Sequence, residues 1–383
     1  MRDVLSASIV AAIGLLGLAP FQLHAQGQDG QQITKQILAT WGEANKTVQT
    51  LKCEASLDSF FPQGVLSNEH NRGRKPDKKL VGDIPSQDTL EKGGKMKWAI
   101  DFAAPRILKE RHAVTPQFHY INQPRLLKEH SIHIFAQDKY RIFRPRPENW
   151  TDADRNDKKA HPDATFYEDS GLEFLLAFSD LPLMWHAGGV TGELLLPSRI
   201  KSLQIAARWS YRGEVDYKGV KCHILSTPNQ ESTSSDLEFW IGQEKGFPIR
   251  YCQAKHDGAK AWQIEVDYAI VDGGPKMTSW TYSEYNLASQ VLNNSHRFKI
   301  TALTTNESLN DELFNHSPIE GMTIVQAKNS ELLQVAADGT LVPFTPSQGV
   351  HRRWFILSGF VIFASILAIF VIRRSHRKSR DVA

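Results

Sequence analysis

Nineteen consecutive residues near the C-terminus, 354–372 (WFILSGFVIFASILAIFVI), carry no charge. At helical rise such a run crosses roughly 28 Å, close to the hydrocarbon thickness of a bilayer. It is apolar on every face, whereas a helix packed on a soluble core needs only one apolar stripe. The segment therefore predicts a transmembrane helix. Arg373, Arg374, Arg377, Lys378 and Arg380 follow it, and Arg352 and Arg353 precede it. This asymmetry makes 373–383 a basic cytoplasmic tail.

The other end agrees with that topology. Arg2 is followed by an apolar run to Leu18, a break at Pro20, and Leu23-His24-Ala25 before Gln26. Residues 1–25 read as a secretory signal peptide, with an uncleaved N-terminal anchor as the alternative. The chain is thus expected to be a single-pass protein of the cell membrane, its large N-terminal part periplasmic. The net charge of +3 needs reinterpreting in that light. The last 33 residues hold seven Lys/Arg against one Asp, which leaves 26–350 at −3. The basic balance reflects topology, so the expected partners are the membrane and its lipids and not nucleic acid.

Three cysteines, Cys53, Cys222 and Cys252, would face an oxidising compartment. An odd count leaves at least one unpaired. A Cys222–Cys252 bridge is one reading, and buried structural thiols are the favoured one. No zinc-type spacing is present.

Between the ends, the hydrophobic period changes. Ile33, Ile37, Leu38, Trp41, Ala44 and Val48 mark one face of a helix over about 31–48. Period two then takes over: Leu51, Cys53, Ala55, Leu57, and later Met96, Trp98, Ile100, Phe102. Segments 118–121, 126–135 and 140–143 alternate more loosely, and 62–93 reads as a long polar surface loop. The second half predicts strands at 200–207, 209–215, 220–226, 237–241, 249–254, 262–270 and 277–282. Turn chemistry at Lys218-Gly219, Lys245-Gly246, Asp257-Gly258 and Asp272-Gly273 separates them. Trp262, Ile264, Val266 and Tyr268 share one face and Gln263, Glu265 and Asp267 the other, the mark of an antiparallel sheet with one packed face. Residues 168–186 predict a helix ending before Pro182. The expected organisation is a β-rich exported domain over 26–300 and a small β appendix and linker over 301–350, with a hairpin near 319–335.

No constellation supports catalysis, and no metal or cofactor site is predicted. Asp152, Asp154 and Asn156 open like a calcium loop, but Asp157 stands where glycine is needed. His130 and His133 are three apart on a strand and so point to opposite faces. Ser198 to Lys201 matches S-x-x-K without its companions. The greasy segment 174–185 has two readings, a core helix on the sheet or the wall of a cavity for an apolar ligand.

Two stretches carry a family resemblance. One is ILATWGEANKTVQTLKCEASL, a helix leading into a strand. The other is the series YKGVKCHILSTPN, SDLEFWIGQEKGFPIRYCQ, WQIEVDYAIVDGG and MTSWTYSEY. Together they resemble the LolA-like (outer-membrane lipoprotein-sorting protein-like) superfamily over about 31–285. The trailing segment from Phe314 to Val325 looks like planctomycete-type envelope proteins. The resemblance implies an α+β fold: an unclosed, curved antiparallel half-barrel with helices over its concave face, and no enzyme activity. The resemblance also implies an apolar cavity, whose expected lining is Met96, Trp98, Phe102, Leu175, Leu176, Phe178, Phe239, Ile264 and Val266. Carriers of this group are soluble or lipid-anchored, so a transmembrane helix shifts the expectation to a tethered binder of an acyl chain, lipid or lipoprotein. An envelope sensor or interaction scaffold is the alternative.

Overall fold

Alternation of apolar and polar residues becomes strand after strand in the computed structural model. It describes residues 19–72, 74–75, 79–104, 106–117, 125–136, 139–144, 163–167, 178–187, 209–228 and 235–344. The expected transmembrane segment and basic tail, the calcium-like loop, Ser198 and the strand at 200–207 lie outside these residues. Among the described residues no helix is long and apolar enough to cross a membrane.

The first half contributes β1 (Thr50–Phe61), β2 (Thr89–Asp101), β3 (Arg106–Gln117), β4 (Arg125–Ala136), β5 (Lys139–Phe143) and β6 (Ala164–Tyr167). The second contributes β7 (Ser210–Tyr217), β8 (Val220–Pro228), β9 (Ser235–Gly242), β10 (Ile249–His256), β11 (Ala259–Val271), β12 (Gly274–Tyr285) and β13 (Leu292–Thr305). Three short strands follow: β14 (Thr323–Gln326), β15 (Glu331–Val335) and β16 (Leu341–Pro343). They form one unclosed sheet in the order β16-β15-β14-β6-β5-β4-β3-β2-β1-β13-β12-β11-β10-β9-β8-β7. Three hairpins turn on residues with positive φ at both positions: Lys218-Gly219, Asp257-Gly258 and Asp272-Gly273. That conformation matches strand twist and favours the Asp-Gly and Lys-Gly pairs read from the sequence.

The sheet bends strongly. Trp98 on β2 and Trp280 on β12 are three strand spacings apart, about 14 Å in a flat sheet. Their ring centroids are 5.7 Å apart, so the strands wrap their large side chains towards a common centre. One core fills that concave side, and a second, smaller one lies under the C-terminal segment, with Ile134, Phe143, Phe314 and Ile324.

Helix α1 (Ala19–Thr47) is longer than the sequence period indicates and continues through the expected signal-peptide junction. Its Ile37 and Trp41 are buried in the main core, and Trp41 Nε1 donates to the Phe247 carbonyl at 2.9 Å. Gly30 is required where α1 meets β7, because a Cβ there would come within 2.6 Å of the Tyr211 ring.

Three expectations need correction, and one strand has no counterpart among those predicted. Residues 62–93 are not simply a loop: they contain helix α2 (Val65–Asn71) and the start of β2. Pro182 does not end a helix. It lies in the first turn of α3 (Leu181–His186), after a 3-10 turn at Phe178–Asp180, where a missing N–H costs nothing. Leu292–Thr305 is a full strand, although its polar residues on both faces hide it in the sequence. The sheet is not purely antiparallel: β14 pairs parallel to β6, Ile324 opposite Ala164. The appendix hairpin is present as β14–β15.

Candidate functional site

The concave face is built by inward parity along each strand. From β2 it takes Met96, Trp98 and Ile100; from β12 and β13, Trp280 and Phe298; from β9, Phe239; and from β11, Ile264 and Val266. Trp280 and Phe298 stack at 4.7 Å, and Trp98 leans on both. The 3-10 turn and α3 form a plug on this floor. Leu181, Leu183 and Met184 are buried against it, and Trp185 meets Phe239 edge-on at 5.9 Å. Trp280 Nε1 donates to the Ser179 carbonyl at 2.7 Å.

Of the expected lining residues, Met96, Trp98, Phe239, Ile264 and Val266 are all at most 3% exposed in this one core. Phe102 is half-buried against it. Phe178 opens the plug's 3-10 turn, and Leu175 and Leu176 lie outside the described residues. The structure thus brings five of the nine together in one core.

A polar belt crosses this apolar wall, and the sequence reading missed it. Lys109 and Arg111 of β3 share the inward face with Ile107 and Ala113. Lys109 is ion-paired with Asp180 of the plug, and both side chains are buried. His133 Nδ1 is 2.8 Å from the Tyr140 hydroxyl and its Nε2 3.1 Å from Ser131 Oγ. His296 Nδ1 is 2.9 Å from Ser59 Oγ. Burial pushes the His133 pKa well down and that of His296 down to about 3, so both rings are neutral. The one available signal was parity: Lys109 and Arg111 alternate with Leu108 and Glu110, a pattern readable only once the neighbouring strands fix the phase.

Above the belt, at the α2 end of the sheet, lies a cleft of about 460 Å³ lined by Phe61, Leu66, Glu69, Trp262, Tyr282 and Tyr285 among others. Tyr282 stacks on His296, which links the cleft to the belt.

The convex face carries a separate cluster. His112 and His130 are cross-strand partners, and their Nε2 atoms lie 2.9 and 3.1 Å from Glu110 Oε1. Three ligand atoms within 4.8 Å of one another could approach a metal ion. However, the imidazoles stack at 3.7 Å with only 18° between their planes. In-plane lone pairs of stacked rings cannot meet at one ion, so this arrangement suits proton sharing with a carboxylate better than coordination. His133 faces the other side of the sheet, as its spacing from His130 requires.

The fold and its site define a plugged, unclosed β half-barrel with an aromatic concave floor. No family model and no curated protein matches the chain. Among solved structures it is similar to a putative outer membrane lipoprotein-sorting protein domain from Vibrio parahaemolyticus. The TM-score is 0.38 at 12% identity, over 76% of this chain and 97% of that one. It is also similar to a DUF1329 family protein from Desulfovibrio piger (TM-score 0.34, 11% identity, 74% and 97% covered). A third is the lipoprotein LppX from Mycobacterium tuberculosis (TM-score 0.24, 9% identity, 72% and 98% covered).

Proposed function

We propose that this chain is a membrane-tethered, extracytoplasmic binding protein for an acyl chain, lipid or lipoprotein, and that it has no enzymatic activity. In this reading 26–350 stand outside the membrane, 354–372 span it and 373–383 remain in the cytoplasm. One observation carries the binding role: a continuous aromatic and aliphatic concave floor is covered by a short separate segment, 178–187. That plug is held by an ion pair, a hydrogen bond from Trp280 and apolar contacts. Lifting it would uncover the floor. A chain of about ten buried methylenes would contribute on the order of 8 kcal/mol before association costs.

A scaffold or sensor that displays loops is the second reading, favoured by how completely Trp98, Ile264 and Val266 are enclosed. The two separate in one experiment. Full-length protein in native membranes is photolabelled with a diazirine fatty acid, and the labelled peptides are mapped by mass spectrometry. Label in 178–187 or on inward residues of β2, β9, β11 and β12 supports the binding role. Label confined to 354–372 favours the scaffold.

A further inference from the structure

Among the described residues, the N–H donors on the inner wall that are enclosed without a partner include Arg111 Nε and Trp98 Nε1 on neighbouring strands, and Trp209 Nε1 further round the sheet. The first two are close in the sheet. Arg111 is opposite Met96 of β2 and Ser131 of β4, and Trp98 is opposite Lys109, the next inward residue of β3. A buried donor without an acceptor costs about 1–3 kcal/mol, and more when it is charged. Such groups call for an explanation in a folded protein.

The charges around Arg111 sharpen the point. Among the described residues, the carboxylates whose fields reach it are Glu129 and Asp180. Asp180 is committed to Lys109. Glu129 accepts from the Thr115 hydroxyl at 2.8 Å and lies 3.7 Å from Arg144. The two histidines within reach, His133 and His296, are neutral. Among the described residues three cations, Lys109, Arg111 and Arg144, therefore face two carboxylates, which leaves one positive charge over at Arg111. Arg111 remains partly accessible although its Nε is sealed, so the rest of the guanidinium can be approached.

We infer that Arg111 is the anchor for the oxyanion head of an amphiphile whose tail lies on the concave floor. This rests on the lipid-binding reading above and adds its chemical class: a carboxylate or a phosphate at the end of an acyl chain. An oxyanion offers only acceptors, and the part of the guanidinium that is not sealed can meet it with two parallel bonds. The floor of Trp98, Trp280 and Phe298 lies beside it for the tail. A neutral lipid would leave the extra charge uncompensated.

The test uses the full-length chain in phosphatidylcholine nanodiscs. Three photoactivatable probes are compared: palmitic acid, its methyl ester, and phosphatidic acid, with labelling of 26–350 read against probe concentration. The acid or the phosphatidic acid should label at about 10- to 100-fold lower concentration than the ester, the worth of a charge-assisted pair. Which of the two does so tells carboxylate from phosphate. Arg111→Gln should abolish the preference while the ester still labels, and Lys97→Gln on the convex face should preserve it. Equal labelling by all three in the parent, or a preference that survives Arg111→Gln, overturns the inference and leaves the lipid-binding reading standing. No labelling of 26–350 by any probe overturns both. Thermal unfolding checks the variants: Arg111→Gln removes an unpaired charge, so its midpoint should equal or exceed that of the lipid-free parent. If it does not fold, Arg111→Lys keeps the charge and loses the fork. It should then weaken the preference about tenfold, and an unchanged preference overturns the inference.

Discussion

Lys109 of β3 and Asp180 of the plug form an ion pair enclosed by protein on all sides, with side chains 8% and 0% exposed. The pair ties a short segment to the middle of the concave wall, at the level of Trp98. Removing one partner leaves the other charge buried alone. Lys109→Met or Asp180→Asn should each cost about 3–5 kcal/mol in urea unfolding. The double variant Lys109→Met/Asp180→Leu should recover about 2 kcal/mol or more of the summed loss. Additive losses would show that the two residues do not depend on each other.

The two faces of the sheet should respond differently to charge. Trp98→Asp, Ile264→Asp and Val266→Asp each place an unpaired carboxylate in the main core and should abolish cooperative unfolding. Lys97→Gln, half exposed on the convex side, should change stability by no more than about 0.5 kcal/mol. Glu265 is intermediate: it accepts from the Tyr217 hydroxyl at 2.9 Å and Lys218 Nζ at 3.0 Å. Glu265→Ala should cost about 1–2 kcal/mol, because Tyr217 loses its acceptor.

All three cysteines are free and buried. Cys252 lies in the inner core, and Cys222 is two strands away on β8, about 10 Å across the sheet and beyond disulfide reach. Burial pushes the Cys53 thiol up to about 12, that of Cys222 to about 11, and that of Cys252 well up. A colorimetric thiol assay at pH 8 should find none of them reactive in the folded protein and three after denaturation. A reactive thiol in the native state would contradict this packing.

Acid should destabilise the concave wall. His296 has its folded-state pKa lowered by burial from 6.5 to about 3, so between those values the unfolded chain binds more protons than the native one. The stability contributed by the neutral ring is complete above pH 6.5 and is lost as pH falls towards 3. The slope is at most about 1.4 kcal/mol per pH unit for each such histidine. His133 adds in the same direction. Unfolding free energies measured from pH 7 to 4 should therefore decline, and His296→Gln should flatten the decline.

Legibility in the sequence followed the strength of local pattern. Strands β8 to β12 alternate cleanly and end in turn pairs that only a few conformations accept, so their phase and the inward direction of Phe239, Ile264 and Val266 could be read directly. The strand β13 could not, because Ser295, Arg297 and Lys299 alternate with Asn294 and His296 and dilute the apolar signal. The plug was misread at Pro182 because a proline in the first turn of a helix and one that ends a helix look alike without the cap geometry. Lys109 and Arg111 were missed for a different reason. Their role depends on Asp180, 71 residues from Lys109 in the chain, and no local pattern reports a contact at that distance.

The pairing of β1 with β13, Leu51 opposite Thr305, has a consequence for how the molecule is made. β1, which precedes every other described strand, lies in the middle of the finished sheet, and one of its two flanks stays open until about 250 further residues have followed. During that interval a row of free amides and carbonyls, with Leu51, Cys53 and Leu57 beside it, is available to any other extended chain. Sheets closed by such distant segments form slowly. A holding chaperone that keeps the nascent chain extended until residue 305 has emerged should therefore raise the yield of folded protein more than any substitution within the core.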